Sequence, residues 1–136
     1  NVFLLKSIHL NFLYNIGINL LQIALHLLAL FNEKINQGVK GRAQTFSLLE
    51  SKINSQDKTL WFHCASLGEY EQGLPVMERM KSRFPNHLIV LTFFSPSGYE
   101  VRKNNTIADV TVYLPLDTLS NVKQFMERER YNFTFI

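Results

Sequence analysis

The sequence predicts an α/β fold in which a Rossmann-like parallel sheet follows a hydrophobic anchor helix. Two observations lead to this prediction. From Ser7 to Asn32 the chain contains no Asp, Glu, Lys or Arg, and a stretch of this length can cross a bilayer. From Thr59 onward, short apolar runs alternate with helical patterns, which is typical of parallel strands covered by helices on both faces.

The composition narrows the class of protein. Of the 136 residues, 46% are hydrophobic and 18% are charged, which excludes a disordered or collagen-like chain. The net charge of +3 is spread without a dense basic run, so we expect no nucleic-acid partner and a location near anionic lipid. Cys64 is the only cysteine, and no Cys/His cluster has metal-ligand spacing. We therefore expect neither an internal disulfide nor a metal site.

Residues 1–33 are predicted to form a membrane-anchor helix. Because the run has no Ala-x-Ala-like cleavage site, we expect it to be retained. Polar side chains recur in it at intervals of three and four, which puts them on one stripe of the helix. They are Ser7, Asn11, Asn15, Asn19, Gln22 and His26. Amides are costly against lipid tails, so the stripe should face water, headgroups or protein. A core helix of a larger soluble protein is the alternative.

Residues 34–58 are predicted to form a basic connector between the anchor and the α/β part. Gly38 and Gly41 indicate a turn, and a short helical piece is expected over residues 43–53. The polar residues 51–58 complete the connector.

A small basic turn over residues 38–42 contains Lys40 and Arg42. These side chains either flank the membrane in water or contact a phosphate or lipid headgroup. Under the positive-inside rule, such cations place the downstream part of the chain on the cytoplasmic side.

Residues 59–136 are predicted to form a partial Rossmann-like domain in the order βαβαβαβ. Strands are expected over 60–64, 88–94, 110–114 and 133–136, and helices after Glu69, from Tyr99 and over 118–130. The last strand runs to the end of the sequence without a turn or a covering helix. We therefore expect the domain to be truncated.

Ligands of such sheets bind outside the carboxyl ends of the strands, which selects the loops at 66–70 and 95–100. Neither loop contains a dinucleotide fingerprint or a Walker sequence, so a nicotinamide or P-loop function is not expected. Ser66 and Glu69 have the spacing of a capping box. Glu69 is therefore either a helix cap or, beside Gly68, a carboxylate that accepts a proton from a hydroxyl nucleophile.

Three segments of the chain resemble the 3-deoxy-D-manno-octulosonic acid (Kdo) transferases. Residues 61–69, Trp-Phe-His-Cys-Ala-Ser-Leu-Gly-Glu, are similar to the first strand and catalytic loop of that family. Residues 91–100 are similar to its second strand and Thr-x-x-Pro-x-Gly turn, and residues 113–117 to its Tyr-Leu-Pro-x-Asp stretch. The apolar N-terminus followed by Lys-Gly-Arg at 40–42 also resembles the family's anchor and basic segment.

The resemblance implies the N-terminal half of a GT-B glycosyltransferase that transfers Kdo from CMP-Kdo to a lipid A precursor. The reaction would take place at the cytoplasmic face of the inner membrane, with no cofactor beyond the donor substrate. Glu69 matches the family's glutamate and would be the general base of an inverting transfer. The residues that bind CMP would lie in a C-terminal domain beyond Ile136, so this segment alone is expected to be inactive.

The resemblance also implies lesser roles for five residues of the two loops. Two of them, Ser66 and Gly68, would shape the catalytic loop. The other three, Ser95, Ser97 and Gly98, would lie on the acceptor side. His63 and Cys64 are expected to be packed strand residues.

Two other functions stay open at this point. One is a noncatalytic, membrane-tethered Rossmann-like module that binds a protein or nucleotide partner, in which Glu69 only caps a helix. The other is a GT-B glycosyltransferase with a different sugar donor, which the donor-binding residues of a C-terminal half would identify.

Overall fold

The structure, a computed structural model, describes residues 2–126 and 132–135, and the side-chain surroundings of residues 10–125. Helices and strands alternate after two N-terminal helices. The elements are α1 (Val2–Ala29), α2 (Glu33–Lys52), β1 (Lys58–Cys64), α3 (Leu67–Arg83), β2 (His87–Phe93), α4 (Pro96–Arg102), β3 (Val110–Tyr113), α5 (Leu119–Met126) and β4 (Asn132–Phe135).

The strands form one parallel sheet in the order β3-β2-β1-β4. β1 and β2 pair along their full length, from Lys58 opposite His87 to Cys64 opposite Phe93. Every residue of β2 from Ile89 to Phe93 is buried, as expected for a central strand with helices on both faces. The predicted α/β class with a Rossmann-like parallel sheet is confirmed.

Successive residues of the strands point to opposite faces of the sheet and build two cores. The core beside α3 contains side chains from both central strands and from the helix: Leu60, Phe62, Ile89, Leu91, Phe93, Tyr70 and Met77. The core beside α2 and α5 contains Leu49, Val90, Val112 and Phe125, with Trp61 packed against it. The indole ring of Trp61 lies 4.8 Å from the ring of Phe125, which holds α5 on the sheet.

The predicted turn in the basic connector is wrong. Residues 33–52 form the single helix α2, whose N-cap Asn32 accepts hydrogen bonds from the N–H groups of Lys34 and Ile35. The helical piece expected over 43–53 is the second half of this longer helix. The helix forms because its packing against the sheet outweighs the low helix propensity of two internal glycines.

Gly41 lies where α2 meets β3, and this close packing explains why the residue is a glycine. A Cβ atom there would lie 2.2 Å from Cε2 of Tyr113, which is too close for any side chain. One turn later, the hydroxyl of Thr45 donates to the carbonyl of Tyr113 at 2.8 Å. The glycine that suggested a turn instead lets the helix approach the strand closely.

α1 is a continuous helix, as the charge-free stretch predicted. Its segment Leu10–Ala29 is long and apolar enough to cross a membrane, with a mean hydropathy of 1.5, and none of it is buried. A core helix of a globular protein would be mostly buried. Ser7 of the polar stripe lies outside the residues whose side chains are described.

The remaining elements differ from prediction mainly at their ends. α4 begins at Pro96 and not at Tyr99, because Ser95 is its N-cap. The predicted helix over 118–130 is present as Leu119–Met126, and residues 127–130 lie outside the described residues. The predicted last strand is present as Asn132–Phe135 beside β1, whereas Ile136 lies outside the described residues.

Candidate active site

Glu69 lies in the first turn of α3, directly after the short connection from β1, at the carboxyl end of the sheet. Ser66 is the N-cap of α3, and its Oγ accepts a hydrogen bond from the N–H of Glu69 at 3.4 Å. In return, Oε2 of Glu69 accepts a hydrogen bond from the backbone N–H of Ala65 at 2.6 Å. The predicted capping interaction is therefore present, but the carboxylate bonds to Ala65 and not to the amide of Ser66.

The Glu69 side chain is exposed, and its second oxygen, Oε1, has no hydrogen-bond partner among the residues described. A carboxylate fixed through one oxygen and open at the other can accept a proton from a hydroxyl group that binds beside it. Capping the helix and acting as a base are therefore compatible in one side chain.

The loop after β2 is joined directly to the loop after β1. The N–H of Ser95 donates to the carbonyl of Ala65 at 3.0 Å, so Ala65 is hydrogen-bonded to Glu69 on one side and to Ser95 on the other. The Oγ of Ser95 accepts from the N–H of Gly98 at 3.1 Å and lies 2.9 Å from the Oγ of Ser97. The structure thus brings together the two loops that the sequence selected.

The two loop glycines have different surroundings. A Cβ at Gly68 would meet only the Oγ of Ser66, at 3.9 Å, so this position has space for a side chain. A Cβ at Gly98 would lie 2.7 Å from Cδ1 of Phe93 and 3.1 Å from the backbone nitrogen of Leu67. Gly98 is therefore a packing residue between α4, β2 and α3, whereas the absence of a side chain at Gly68 keeps the approach to Glu69 open.

Arg42 is half-buried between α2 and the ends of β2 and β3. Its Nε donates to the carbonyl of Leu114 at 3.2 Å, and its Nη2 donates to the carbonyl of Phe94 at 2.6 Å. The guanidinium also lies 4.9 Å from the centre of the Phe94 ring, and burial lowers its pKa from the ordinary value. Arg42 therefore fixes the strand ends that lead into the candidate site.

Lys40 lies apart from this arrangement. Its side chain is exposed on α2, and the structure does not connect it to the loops of Glu69 and Ser95. Its suggested contact with a phosphate or lipid headgroup stays a prediction.

A hydrogen-bonded group of side chains on the face of the sheet that carries Trp61 was not predicted from the sequence. The hydroxyl of Thr92 donates to the carbonyl of Phe62 at 3.3 Å, and it lies 2.9 Å from Nε1 of Trp61 and 3.0 Å from Nδ1 of His63. A hydroxyl has only one proton to donate. When the hydroxyl proton is directed at the carbonyl of Phe62, Nδ1 of His63 is the donor to Thr92. His63 is hydrogen-bonded, as expected, but it is exposed and not packed.

Cys64 is buried at the end of β1, as expected for a packed strand residue. Burial, and secondly the charge of Glu69, raises the pKa of its thiol to about 11. The thiol is therefore protonated at neutral pH and is a poor nucleophile. Of the two ionisable groups at this end of β1, the Cys64 thiol and the Glu69 carboxylate, the carboxylate is the one suited to proton transfer.

Comparison with known proteins gives a family match and two related sequences. Residues 39–136 match the family model described as 3-Deoxy-D-manno-octulosonic-acid transferase (kdotransferase). The 3-deoxy-D-manno-octulosonic acid transferase of Aquifex aeolicus (strain VF5) is 41% identical over 69 residues, which are 50% of this chain and 19% of that protein. The protein of the same name from Chlamydia pneumoniae is 31% identical over 94 residues, which are 67% of this chain and 21% of that protein. No solved structure gives a significant match.

Proposed function

Because this chain belongs to the 3-deoxy-D-manno-octulosonic-acid transferase family, we propose that it is part of a glycosyltransferase that moves Kdo from CMP-Kdo to a lipid A precursor. The chain aligns with about a fifth of the length of each curated relative. The proposal therefore concerns the acceptor half of a site whose donor half belongs to residues outside this chain.

The observation that carries the proposal is the placement of Glu69. Its carboxylate is exposed at the carboxyl end of a parallel sheet, where ligands of such sheets bind, and it is oriented through Oε2 by the N–H of Ala65. A base must be held in position before the transition state, because orientation supplies much of the rate enhancement of an enzyme. The hydrogen bond from Ala65 provides that orientation without occupying Oε1.

The proposed reaction is a single displacement at the anomeric carbon of Kdo. The proton of the acceptor hydroxyl moves to Oε1 of Glu69 while the hydroxyl oxygen forms a bond to the anomeric carbon. The bond between that carbon and the phosphate oxygen of CMP breaks, and CMP leaves with the electron pair. Attack from the side opposite the leaving group inverts the configuration. Glu69 is the general base of this step.

The neighbouring residues position the base and leave space for the acceptor. Ser66 fixes the first turn of α3 through its bond to the N–H of Glu69, and Ser95 holds the carbonyl side of Ala65. Gly68 leaves room for the acceptor beside the carboxylate. Ser97 is exposed in the first turn of α4, and we propose it as a hydrogen-bonding group for the acceptor.

The acceptor is a lipid, and we propose that the protein works at the cytoplasmic face of the inner membrane. The unburied apolar segment Leu10–Ala29 supports an association with membrane. The basic residues that follow it, among them Lys34 and Lys40, support the cytoplasmic side.

The test is transfer by the full-length protein. Purified protein is incubated with CMP-Kdo and a lipid A precursor, and Kdo-lipid and CMP are measured by mass spectrometry. We expect one CMP to be released for each Kdo transferred to lipid. Transfer from another nucleotide sugar in place of CMP-Kdo would identify a different glycosyltransferase, and the absence of transfer from any donor would leave a noncatalytic module.

A further inference from the structure

The two sides of α1 have different surroundings. Every third or fourth residue on one side is half-buried, which is the spacing of a single helix face; these residues are Asn15, Ile18, Gln22, Leu25 and Ala29. α1 packs against α2, and Gln22 and Leu25 line a cavity together with Val39 and Arg42 of α2. This side of α1 is therefore covered by protein.

The opposite side of α1 is apolar and uncovered. Its large side chains are more than half exposed at Leu10, Phe12, Leu13, Leu20, Ile23, Leu27 and Leu28. An uninterrupted apolar surface of this extent is unusual on a folded protein and marks an interaction site.

α1 approaches the carboxyl edge of the sheet at two places along its length, and at one of them it is hydrogen-bonded to it. The hydroxyl of Tyr14 donates to Oδ2 of Asp117, in the loop after β3, at 2.5 Å. Leu25 faces the loop after β2 across a cavity of about 250 Å³ that it lines together with Ser95 and Pro96. Eleven residues separate Tyr14 from Leu25, so about 16 Å of the helix runs alongside the two loops.

This arrangement conflicts with a helix that crosses the bilayer. If Leu10–Ala29 spanned the membrane, the side attached to the α/β unit would carry the loop of Asp117 and the strand ends beside Arg42 into the hydrocarbon. Irregular backbone with unpaired polar groups does not occur facing lipid, and charged side chains there are costly. The contacts and a spanning orientation exclude each other.

We propose that α1 lies in the plane of the membrane interface, with its uncovered apolar side in the acyl chains of one leaflet and its half-buried side on α2. The polar stripe is compatible with this position, because Asn15 and Gln22 lie on the half-buried side and two amides of the stripe also donate within the helix. Nδ2 of Asn15 donates to the carbonyl of Asn11 at 2.7 Å, and Nδ2 of Asn19 donates to the carbonyl of Asn15 at 2.8 Å. Such bonds reduce the cost of partly burying an amide.

This orientation has a consequence for the candidate active site. Because α1 runs along the carboxyl edge of the sheet, an interfacial α1 holds the loops of Ser95 and Asp117 against the headgroup layer. The loop of Glu69 is hydrogen-bonded to that of Ser95 through Ala65. The inference rests on the proposed function in one respect: a lipid acceptor could then reach Glu69 without leaving its leaflet.

The test measures the depth of three positions on the uncovered side of α1. In full-length protein in which Cys64 and any cysteine outside this chain are replaced by alanine, the variants Leu13→Cys, Leu20→Cys and Leu27→Cys are each labelled with an environment-sensitive fluorophore. These positions are seven residues apart and lie on nearly the same helix face. The protein is bound to vesicles of phosphatidylcholine and phosphatidylglycerol, and quenching by nitroxides at different depths in the acyl chains locates each label.

We expect the three labels to lie at one depth, just below the headgroups of a single leaflet. A spanning helix would place successive labels about 10 Å apart along the bilayer normal, which would overturn the proposal. Labels that are not quenched at all would overturn it as well. A label at Ile18→Cys, on the side that faces α2, is the control and should be quenched least. Depth is measured without turnover, so this result and the transfer assay can fail independently.

Discussion

The backbone N–H of Ala65 donates to Oε2 of Glu69 at 2.6 Å, from the residue that joins β1 to the N-cap of α3. The carbonyl of the same residue accepts from Ser95. Ala65 therefore hydrogen-bonds to both Glu69 and Ser95. Substitutions around Ala65 can separate the contribution of the helix cap from that of the carboxylate.

Replacing Ser66 by Ala removes the N-cap of α3 and the bond to the N–H of Glu69. We expect Ser66→Ala to lower the free energy of unfolding by about 1 kcal/mol, as measured by urea denaturation. Since the Ala65 bond to Glu69 remains, turnover of folded enzyme should fall much less than in a variant that lacks the carboxylate. An unchanged stability would contradict the observed cap.

Gly68 and Gly98 should respond differently to alanine. Gly68→Ala places a methyl group in open space, so thermal stability should stay near that of the unsubstituted protein while Kdo transfer falls, because the methyl lies beside the base. Gly98→Ala forces a methyl group against Phe93 and the backbone of Leu67, so it should lower the melting temperature. Full activity of Gly68→Ala would show that the acceptor does not approach past this residue.

Gly41→Ala tests the close approach of α2 to β3. The added methyl group would overlap the ring of Tyr113, and we expect a loss of about 1–3 kcal/mol in the free energy of unfolding. Gly73→Ala in α3 is the matched control, since its Cβ would meet Met77 and Cys64 at ordinary contact distances of 3.9 and 4.0 Å. The control should be neutral or gain up to about 1 kcal/mol from helix propensity. Equal effects at the two sites would refute the packing explanation.

The thiol of Cys64 reports on the charge of Glu69. Burial and the Glu69 carboxylate raise the pKa of Cys64 from 9.0 to about 11, so the rate of alkylation should keep rising up to about that pH. Glu69→Gln removes the negative charge and should increase the rate at a given alkaline pH, because thiolate is the reactive form. A rate that levels off at the pKa of a free cysteine, about 8.5, would show that only unfolded protein reacts.

The raised pKa of Cys64 also makes the free energy of unfolding depend on pH. The folded protein holds the Cys64 proton more tightly than the unfolded chain does. The contribution of Cys64 to the free energy of unfolding is therefore fully present below about pH 9. It is lost as the pH rises from about 9 to about 11, where the unfolded thiol ionises first. Cys64→Ala should lose less stability than the unsubstituted protein over that interval in urea denaturation.

The alternation of strands and helices could be predicted from the sequence because each central strand is a short apolar run ended by a turn or cap signal. The loops at Ser66 and Ser95 could be located for the same reason, since a parallel sheet places all its carboxyl ends at one edge. Glu69 itself needed the resemblance to a family, because its spacing from Ser66 also fits an ordinary capping box.

The remaining features depend on contacts between residues far apart in sequence. Gly41 has the local pattern of a turn, and only its packing on Tyr113 explains a glycine inside a helix. Arg42 has the pattern of a membrane-flanking cation, but the carbonyls of Phe94 and Leu114 hold it against the sheet. The network of Thr92, Trp61 and His63 forms across two paired strands, and no local pattern indicates it.

The most direct test of the central claim is the turnover of full-length Glu69→Gln. The glutamine retains an amide oxygen that can accept from the N–H of Ala65, so the fold and the melting temperature should be unchanged. Glu71→Gln is the matched control, because Glu71 is also exposed on α3 but is paired with Arg102. If Glu69 is the general base, kcat for Kdo transfer falls by a factor of about 10² to 10⁴, while the control keeps most of its activity. A Glu69→Gln protein that melts normally and still transfers Kdo at the unsubstituted rate would contradict the account and leave Glu69 as a helix cap.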